Sequence, residues 1–214
     1  MSIVEEISVF LQQGRAKNVK ELVQKALDEG VTAKSILEDG LLSGMNIIGI
    51  KFKNNEVYVP EVLIAARAMN AGTELLKPFL ASEGVKATGK VVLGTVKGDL
   101  HDIGKNLVKM MMEGKGLEVI DAGVDVDADK YVALAKEHNA QIIACSALLT
   151  TTMNEMRSVV DACVSSGIRN NVIIMVGGAP VTDAFCKEIG ADIYAADAAS
   201  AAESAIAAIT AISA

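Results

Sequence analysis

The stretch Gly94-Thr95-Val96-Lys97-Gly98-Asp99-Leu100-His101-Asp102-Ile103-Gly104-Lys105-Asn106 starts inside an apolar run and ends in an amphipathic one. Val91–Val96 has the length and apolar character of a buried strand, and the residues beyond Gly104 have room for a helix of several turns. Strand, polar loop and helix in that order form the opening unit of a parallel α/β sheet, whose ligands bind beyond the carboxyl ends of the strands. The loop contains neither G-x-G-x-x-G nor G-x-x-x-x-G-K-[ST], so it is not a dinucleotide fingerprint or a Walker A loop. It offers one imidazole, His101, flanked by the carboxylates Asp99 and Asp102, with Gly98 and Gly104 on either side.

Downstream, short apolar runs alternate with amphipathic stretches. The runs are Leu117–Val124, Gln141–Ala147, Val172–Val176 and Ile193–Ala196. With Val91–Val96 they predict a Rossmann-like sheet of five parallel strands, doubly wound with right-handed crossovers. Upstream, the period is helical. Ile3, Val4, Ile7, Phe10 and Leu11 share one helix face, and Val19, Leu22, Val23, Ala26 and Leu27 share another, which stops at Gly30. Thr32 is placed to cap a third helix carrying Ile36, Leu37, Leu41, Met45 and Ile48. Pro60 stands at the start of a fourth, with Val62, Leu63, Ala66, Met69 and Leu76 on its apolar stripe. A four-helix bundle over residues 1–88 therefore precedes the sheet domain at 89–214, and the aperiodic segment Ser82–Lys90 is expected to be a mobile junction.

The composition agrees with this division. Hydrophobic residues make up 51% of the 214, but aromatics only 3%, with no Trp. A core of Ala, Val, Ile, Leu and Met suits helices on a parallel sheet. The net charge of −7 argues against nucleic acid as a partner. No apolar run reaches the roughly 18–20 residues that span a membrane, and the acidic, amphipathic start MSIVEEISVF is unlike a signal peptide. Cys145, Cys163 and Cys186 show no C-x-x-C spacing, so a reduced, cytoplasmic setting is expected.

Neutral imidazole is a good ligand for a transition metal, and a ligating His usually donates its other ring N–H to a carboxylate. Asp99 is placed to accept it, and Gly98 and Gly104 would let a bulky ligand approach the backbone. Yet the chain has two His in all and no His or Cys cluster near the loop, whereas a protein-built zinc site needs three or four ligands. A metal on His101 must bring most of its own coordination sphere, as a corrin or haem does. The plain alternative, a histidine that caps a helix or bonds within its loop, stays open on these residues alone.

Asp99-x-His101-x-x-Gly104 resembles the D-x-H-x-x-G signature of B12-binding domains. Ser146-Ala147-Leu148 resembles that family's S-x-L motif and Gly177-Gly178 its later G-G pair, each at a predicted strand end. A helical half followed by such a sheet resembles the cobalamin-binding module of methionine synthase. It is more similar still to the stand-alone corrinoid proteins of methanol, methylamine, methoxy-aromatic and quaternary-amine methyltransferase systems. Tyr58-Val59-Pro60-Glu61-Val62 resembles the start of their last cap helix.

The resemblance implies a cobalamin or related corrinoid with His101 as the lower axial cobalt ligand in place of the cofactor's own base. It implies a relay from His101 to Asp99 and on to a hydroxyl at Thr152, where methionine synthase has serine. Gly98, Asp102, Ile103 and Gly104 complete the implied cofactor-binding loop. Ser146, Leu148 and Thr150 would line the slot for the displaced nucleotide tail, with Gly177 and Gly178 opening its opposite wall and Ala198 closing its end. Small residues are expected there because a Cβ would fill the slot. The implied cobalt cycles between a Co(I) nucleophile and methyl-Co(III), as in methylcobalamin, and proton movement on the relay could couple to methyl transfer. The helical half would cover the methyl group and move aside for its partners. Those are a substrate-specific methyltransferase of barrel type, a second methyltransferase acting on tetrahydrofolate or a thiol cofactor, and a reductive activase.

Rival readings are a signalling receiver, a B12-dependent sensor and the B12-binding subunit of a mutase. A receiver needs a phosphorylatable Asp ending the third strand, which here ends Ala144-Cys145-Ser146, and a sensor of this type carries a basic DNA-binding module. The mutase needs a catalytic barrel on another chain, and the helical half favours methyl transfer. Met110-Met111-Met112 reads as core and His138 as a helix end. Asp121, Asp125, Asp127 and Asp129 read as a solvated turn and helix cap, and Lys97, Lys105 and Lys109 as surface lysines.

Overall fold

The computed structural model describes residues 1–213. The chain divides into two compact units, Met1–Ala87 with Gly114–Gly116, and Thr88–Glu113 with Leu117–Ala214.

The first unit is helical. α1 (Ile3–Gln12) opens on a capping box in which Ser2 and Glu5 each bond the other's backbone N–H. It buries Ile7 and Leu11, and α2 (Ala16–Asp28) buries Val19, Val23 and Ala26, the stripes that the helical period marks. The third predicted helix is one run in three pieces: α3 (Ala33–Ser35), a π-helical segment (Ile36–Leu42) and α4 (Ser43–Lys53). Its start is capped by the Thr32 hydroxyl on the Ser35 N–H. The Glu83 carboxylate also accepts from the N–H groups of Ala33 and Lys34, at 2.8 and 3.0 Å. Gly40 and Gly44 let α1 approach closely: a Cβ on Gly44 would lie 3.0 Å from the Ser8 carbonyl oxygen. α5 (Val59–Ser82) has Pro60 in its first turn and a second proline, Pro78, near its end, and buries Val62, Met69 and Leu76.

The second unit is the doubly wound sheet. Its strands are β1 (Lys90–Val96), β2 (Glu118–Val126), β3 (Ile142–Ser146), β4 (Ile173–Gly177) and β5 (Ile193–Ala195), all parallel, in the order β2-β1-β3-β4-β5. The connecting helices are α6 (Ile103–Glu113), α7 (Ala128–His138), α8 (Asn154–Ser165), α9 (Asp183–Ile189) and α10 (Ala198–Ser213). α6 lies against α10, while α7 meets α8 and α8 meets α9. One core joins Val92, Val96, Tyr131, Ile143, Met156, Val159, Ile174 and Val176. All three cysteines are free and buried, and burial pushes each thiol up, that of Cys163 to about 11.

Two charged groups depart from the expectation of a solvated surface. Lys105 is 3% exposed, and its ammonium donates to Asp121 at 2.6 Å and to Asn106 at 2.9 Å. Asp121 lies within β2, not in a loop, and also accepts from Gly123 N–H and Lys109. Burial raises the Asp121 carboxyl, but the Lys105 hydrogen bond, the Gly123 N–H and the two ammonium charges outweigh it and hold it below the usual carboxylate range. Its folded pKa is therefore below its unfolded one. The pairing stabilises the fold fully above about pH 4 and is lost as pH falls through the folded value. Lys105→Met is expected to cost about 1–2 kcal/mol at neutral pH, discounted because Asp121 is partly exposed. Thermal unfolding of both proteins should show the difference shrinking below about pH 4.

Candidate functional site

β1 and β3 are sheet neighbours, but their following helices go to opposite faces, so their loops diverge and open a crevice at the carboxyl end of the sheet. The β1 loop brings Asp99 and His101 there, and the β3 loop brings Leu148, Leu149 and Thr152.

Asp99 is 0% exposed and is the hub. One carboxylate oxygen accepts the His101 backbone N–H at 3.1 Å and lies 2.8 Å from His101 Nδ1. The other accepts the N–H groups of Leu148 (2.8 Å) and Leu149 (3.3 Å) and the Thr152 hydroxyl (3.0 Å). Burial alone would raise this carboxyl, but the Leu148 N–H, the imidazole, the His101 N–H and the Thr152 hydroxyl hold it well below the usual range. An ionised acceptor calls for the imidazole proton on Nδ1, which leaves the Nε2 lone pair free in the neutral ring. The His101 side chain is 51% exposed, and among the described residues no hydrogen bond reaches Nε2.

The loop is held in shape from several sides. Asp99 N–H bonds the Val96 carbonyl at 3.1 Å, with Gly98 at φ +78 in the turn between them. Buried Thr95 donates its hydroxyl to the His101 carbonyl at 2.7 Å. Asp102 bonds Asn106 one turn on, fixing the entry to α6. The only signal of Thr95 in the sequence is a hydroxyl in an otherwise apolar strand.

Thr95, Ser146, Gly177 and Ala195 are register partners and form one row across β1, β3, β4 and β5. Ala198 is buried at the start of α10, and Thr150 is exposed in the turn after β3; neither joins the Asp99 network. A Cβ on Gly178 (φ +131) would lie 1.9 Å from the Ala147 carbonyl oxygen, and one on Gly177 would lie 2.9 Å from that of Ala195. Close backbone packing demands glycine at both positions. Open ground lies instead at Gly104, where a Cβ would meet nothing within 4 Å.

Leu100 (73% exposed), Ile103 (76%) and Leu148 (43%) present apolar side chains to solvent around this ground. Among the described residues, no group of three or more His, Cys, Asp or Glu could hold a metal ion. One free imidazole nitrogen, exposed apolar side chains and an uncovered glycine fit a broad, largely apolar macrocycle that supplies its own in-plane metal ligands.

Thr152 has one hydroxyl proton and two acceptors at 3.0 Å, Asp99 and the Leu149 carbonyl. Three backbone N–H groups, those of His101, Leu148 and Leu149, remain on Asp99 without it. Thr152→Val is therefore expected to cost only about 1 kcal/mol in thermal unfolding, and Thr152→Ser a similar amount for the lost methyl.

A B12 binding domain model matches residues 89–206, and a second B12 binding domain model matches residues 3–77. The chain is 39% identical over 198 residues to a corrinoid protein of Desulfitobacterium hafniense strain Y51 (91% of this chain, 92% of the relative). It is 44% identical over 197 residues to dimethylamine corrinoid protein 1 of Methanosarcina acetivorans, covering 92% of each. Among solved structures it is similar to a chain of the methanol:cobalamin methyltransferase complex of Methanosarcina barkeri. That match has TM-score 0.88 and 30% identity, and covers 97% of this chain and 80% of the other. A cobalamin-binding protein of Desulfitobacterium hafniense DCB-2 matches with TM-score 0.78 and 31% identity, over 96% and 98%. Among the described residues, no helix is long and apolar enough to cross a membrane. With the crevice, the imidazole and these relatives together, the chain belongs to the family of B12-binding corrinoid proteins.

Proposed function

We propose that this chain is a methyl carrier: it holds a corrinoid on His101 and passes a methyl group from a substrate-specific methyltransferase to a second methyltransferase acting on tetrahydrofolate or a thiol. The observation that carries the reading is the imidazole, bound through Nδ1 to a buried carboxylate and open at Nε2. The names of the relatives, which include dimethylamine, trimethylamine and monomethylamine corrinoid proteins, support the same class of work.

When bound, the corrinoid supplies a cobalt that accepts and releases the methyl group. His101 would hold the cobalt through Nε2. Asp99 keeps the proton on Nδ1 and fixes the ring plane. The N–H groups of Leu148 and Leu149 with the Thr152 hydroxyl hold Asp99 charged. Gly104 leaves space for close approach, with Leu100 and Ile103 as apolar contacts. Ser146, Leu148, Thr150, Gly177, Gly178 and Ala198 border the tail slot. The partner enzyme would select the donor, and a reductive activase would be a further partner.

The test is reconstitution with hydroxocobalamin, chemical reduction, and a panel of methanol, methylamines, methoxy-aromatics and quaternary amines with candidate barrel methyltransferases. A corrinoid spectrum with histidine ligation and methylation by one donor–partner pair is expected. A chain that takes up no corrinoid would sink the proposal.

A further inference from the structure

We infer that Asp125 is a positioning residue for the ligand loop, acting from the neighbouring strand on the backbone that carries Asp99 and His101. The inference rests on the reading of His101 as the corrinoid ligand.

β2 does not follow β1 evenly. Its register slips between Leu93 and Gly94 and again between Gly94 and Val96: Leu93 faces Asp121, Gly94 faces Gly123, and Val96 faces Val126. Extra residues are therefore accommodated on β2, and the strand bends. Within the bend, Asp125 sits at φ +52, a left-handed conformation that a residue with a side chain rarely adopts. Asp and Asn tolerate it better than other side chains, and here the conformation has two outcomes. The Asp125 carboxylate accepts the Gly98 N–H at 2.7 Å. The Asp125 backbone N–H donates to the Asp99 carbonyl at 3.0 Å.

The two bonds bracket Gly98 and Asp99. The Gly98 N–H is left over from the Val96–Asp99 turn, so Asp125 supplies the partner that the turn does not. A strut lies beside it: Lys97 Nζ is 2.6 Å from Asp127, at the end of the same strand. Asp127 thus holds a lysine of the loop and makes no side-chain cap on α7. Asp99 meets the β3 loop through its carboxylate and β2 through its carbonyl, so its position is fixed from both neighbours of β1. Asp125 touches neither the imidazole nor the ground around Gly104; its effect passes through the loop backbone.

The test compares wild type, Asp125→Gly and Asp125→Asn. Glycine adopts φ +52 without strain and keeps the backbone N–H, so Asp125→Gly removes the carboxylate alone. Asparagine tolerates the conformation and keeps an acceptor oxygen. In the cofactor-free proteins, amide hydrogen exchange at Gly98 is expected to rise on the order of tenfold in Asp125→Gly and much less in Asp125→Asn. In proteins reconstituted with hydroxocobalamin and reduced to the Co(II) form, electron paramagnetic resonance reports the axial nitrogen. Asp125→Gly should lose at least about half of the histidine-ligated signal, and Asp125→Asn should recover most of it. Unchanged Gly98 exchange together with an unchanged histidine-ligated fraction in Asp125→Gly would overturn the inference. If that variant does not fold, Asp125→Asn decides instead through Gly98 exchange: a modest rise supports the inference, and none overturns it. A wild-type protein with no axial-nitrogen signal would refute the His101 reading itself, while the Gly98 exchange result would still test the clamp.

Discussion

His101→Ala is expected to leave the protein folded and to reduce methyl transfer by 100-fold or more, an order of magnitude taken from the effect of weakening metal-site partners. The fold should barely respond. The side chain is half exposed, and its one described hydrogen bond is to Asp99, whose carboxylate keeps four other donors. The loss should stay near 1 kcal/mol. The melting curve of the cofactor-free variant measures the first expectation; its visible spectrum after reconstitution and its single-turnover transfer rate measure the second. A variant with wild-type spectrum and rate would remove His101 from the site.

Asp99→Ala should do the opposite in the cofactor-free protein and unsettle the fold. It deletes a fully buried acceptor and leaves the N–H groups of Leu148, Leu149 and His101 without their partner, while the Thr152 hydroxyl keeps the Leu149 carbonyl. Several buried donors left unpaired cost about 3–5 kcal/mol together. For a chain of this size that corresponds to a fall in melting temperature of roughly 6–20 °C. Asp99→Asn separates stability from ligation. Its amide oxygen must face the three donors of the β3 loop, so its NH2 faces His101. The imidazole then has to accept on Nδ1 and carry its proton on Nε2, which closes the outward lone pair. A folded Asp99→Asn protein that takes up corrinoid with little histidine ligation is the expected result. A melting temperature within a degree or two of wild type for Asp99→Ala would show that the donors find other partners.

Much of this was legible before the structure. Short, nearly continuous apolar runs marked all five strands, because a parallel sheet covered on both faces needs them. The helical stripes of α1 and α2 are the buried faces. The Asp99–His101 pair was legible because the two residues sit in one loop and their chemistry is distinctive. What the sequence hid was of three kinds. Backbone donors such as the N–H groups of Leu148 and Leu149 have no residue type to announce them. Bulges disguise strand as loop: Asp125 carries turn-like composition and lies past the predicted run Leu117–Val124, yet β2 continues through it to Val126. Charges paired at long range look like surface, as Lys105 did with Asp121 sixteen residues away. The π-helical segment at Ile36–Leu42 was hidden in the same way, since its residues keep an apolar spacing that an α-helix would also satisfy.

The bend in β2 bears on solubility as well. β2 and β5 are the two outer strands, and an outer strand offers unpaired backbone groups to any other chain that can lie flat against it. β5 is only three residues long and gives little length to recruit a neighbour. β2 is nine residues long and would be the hazard, but its register slips and its acidic side chains Asp121 and Asp125 make it crooked and charged where a straight apolar edge would invite fibril-like growth. The irregularity that aims Asp125 at the Asp99–His101 loop thus also makes this outer strand a poor template for self-association.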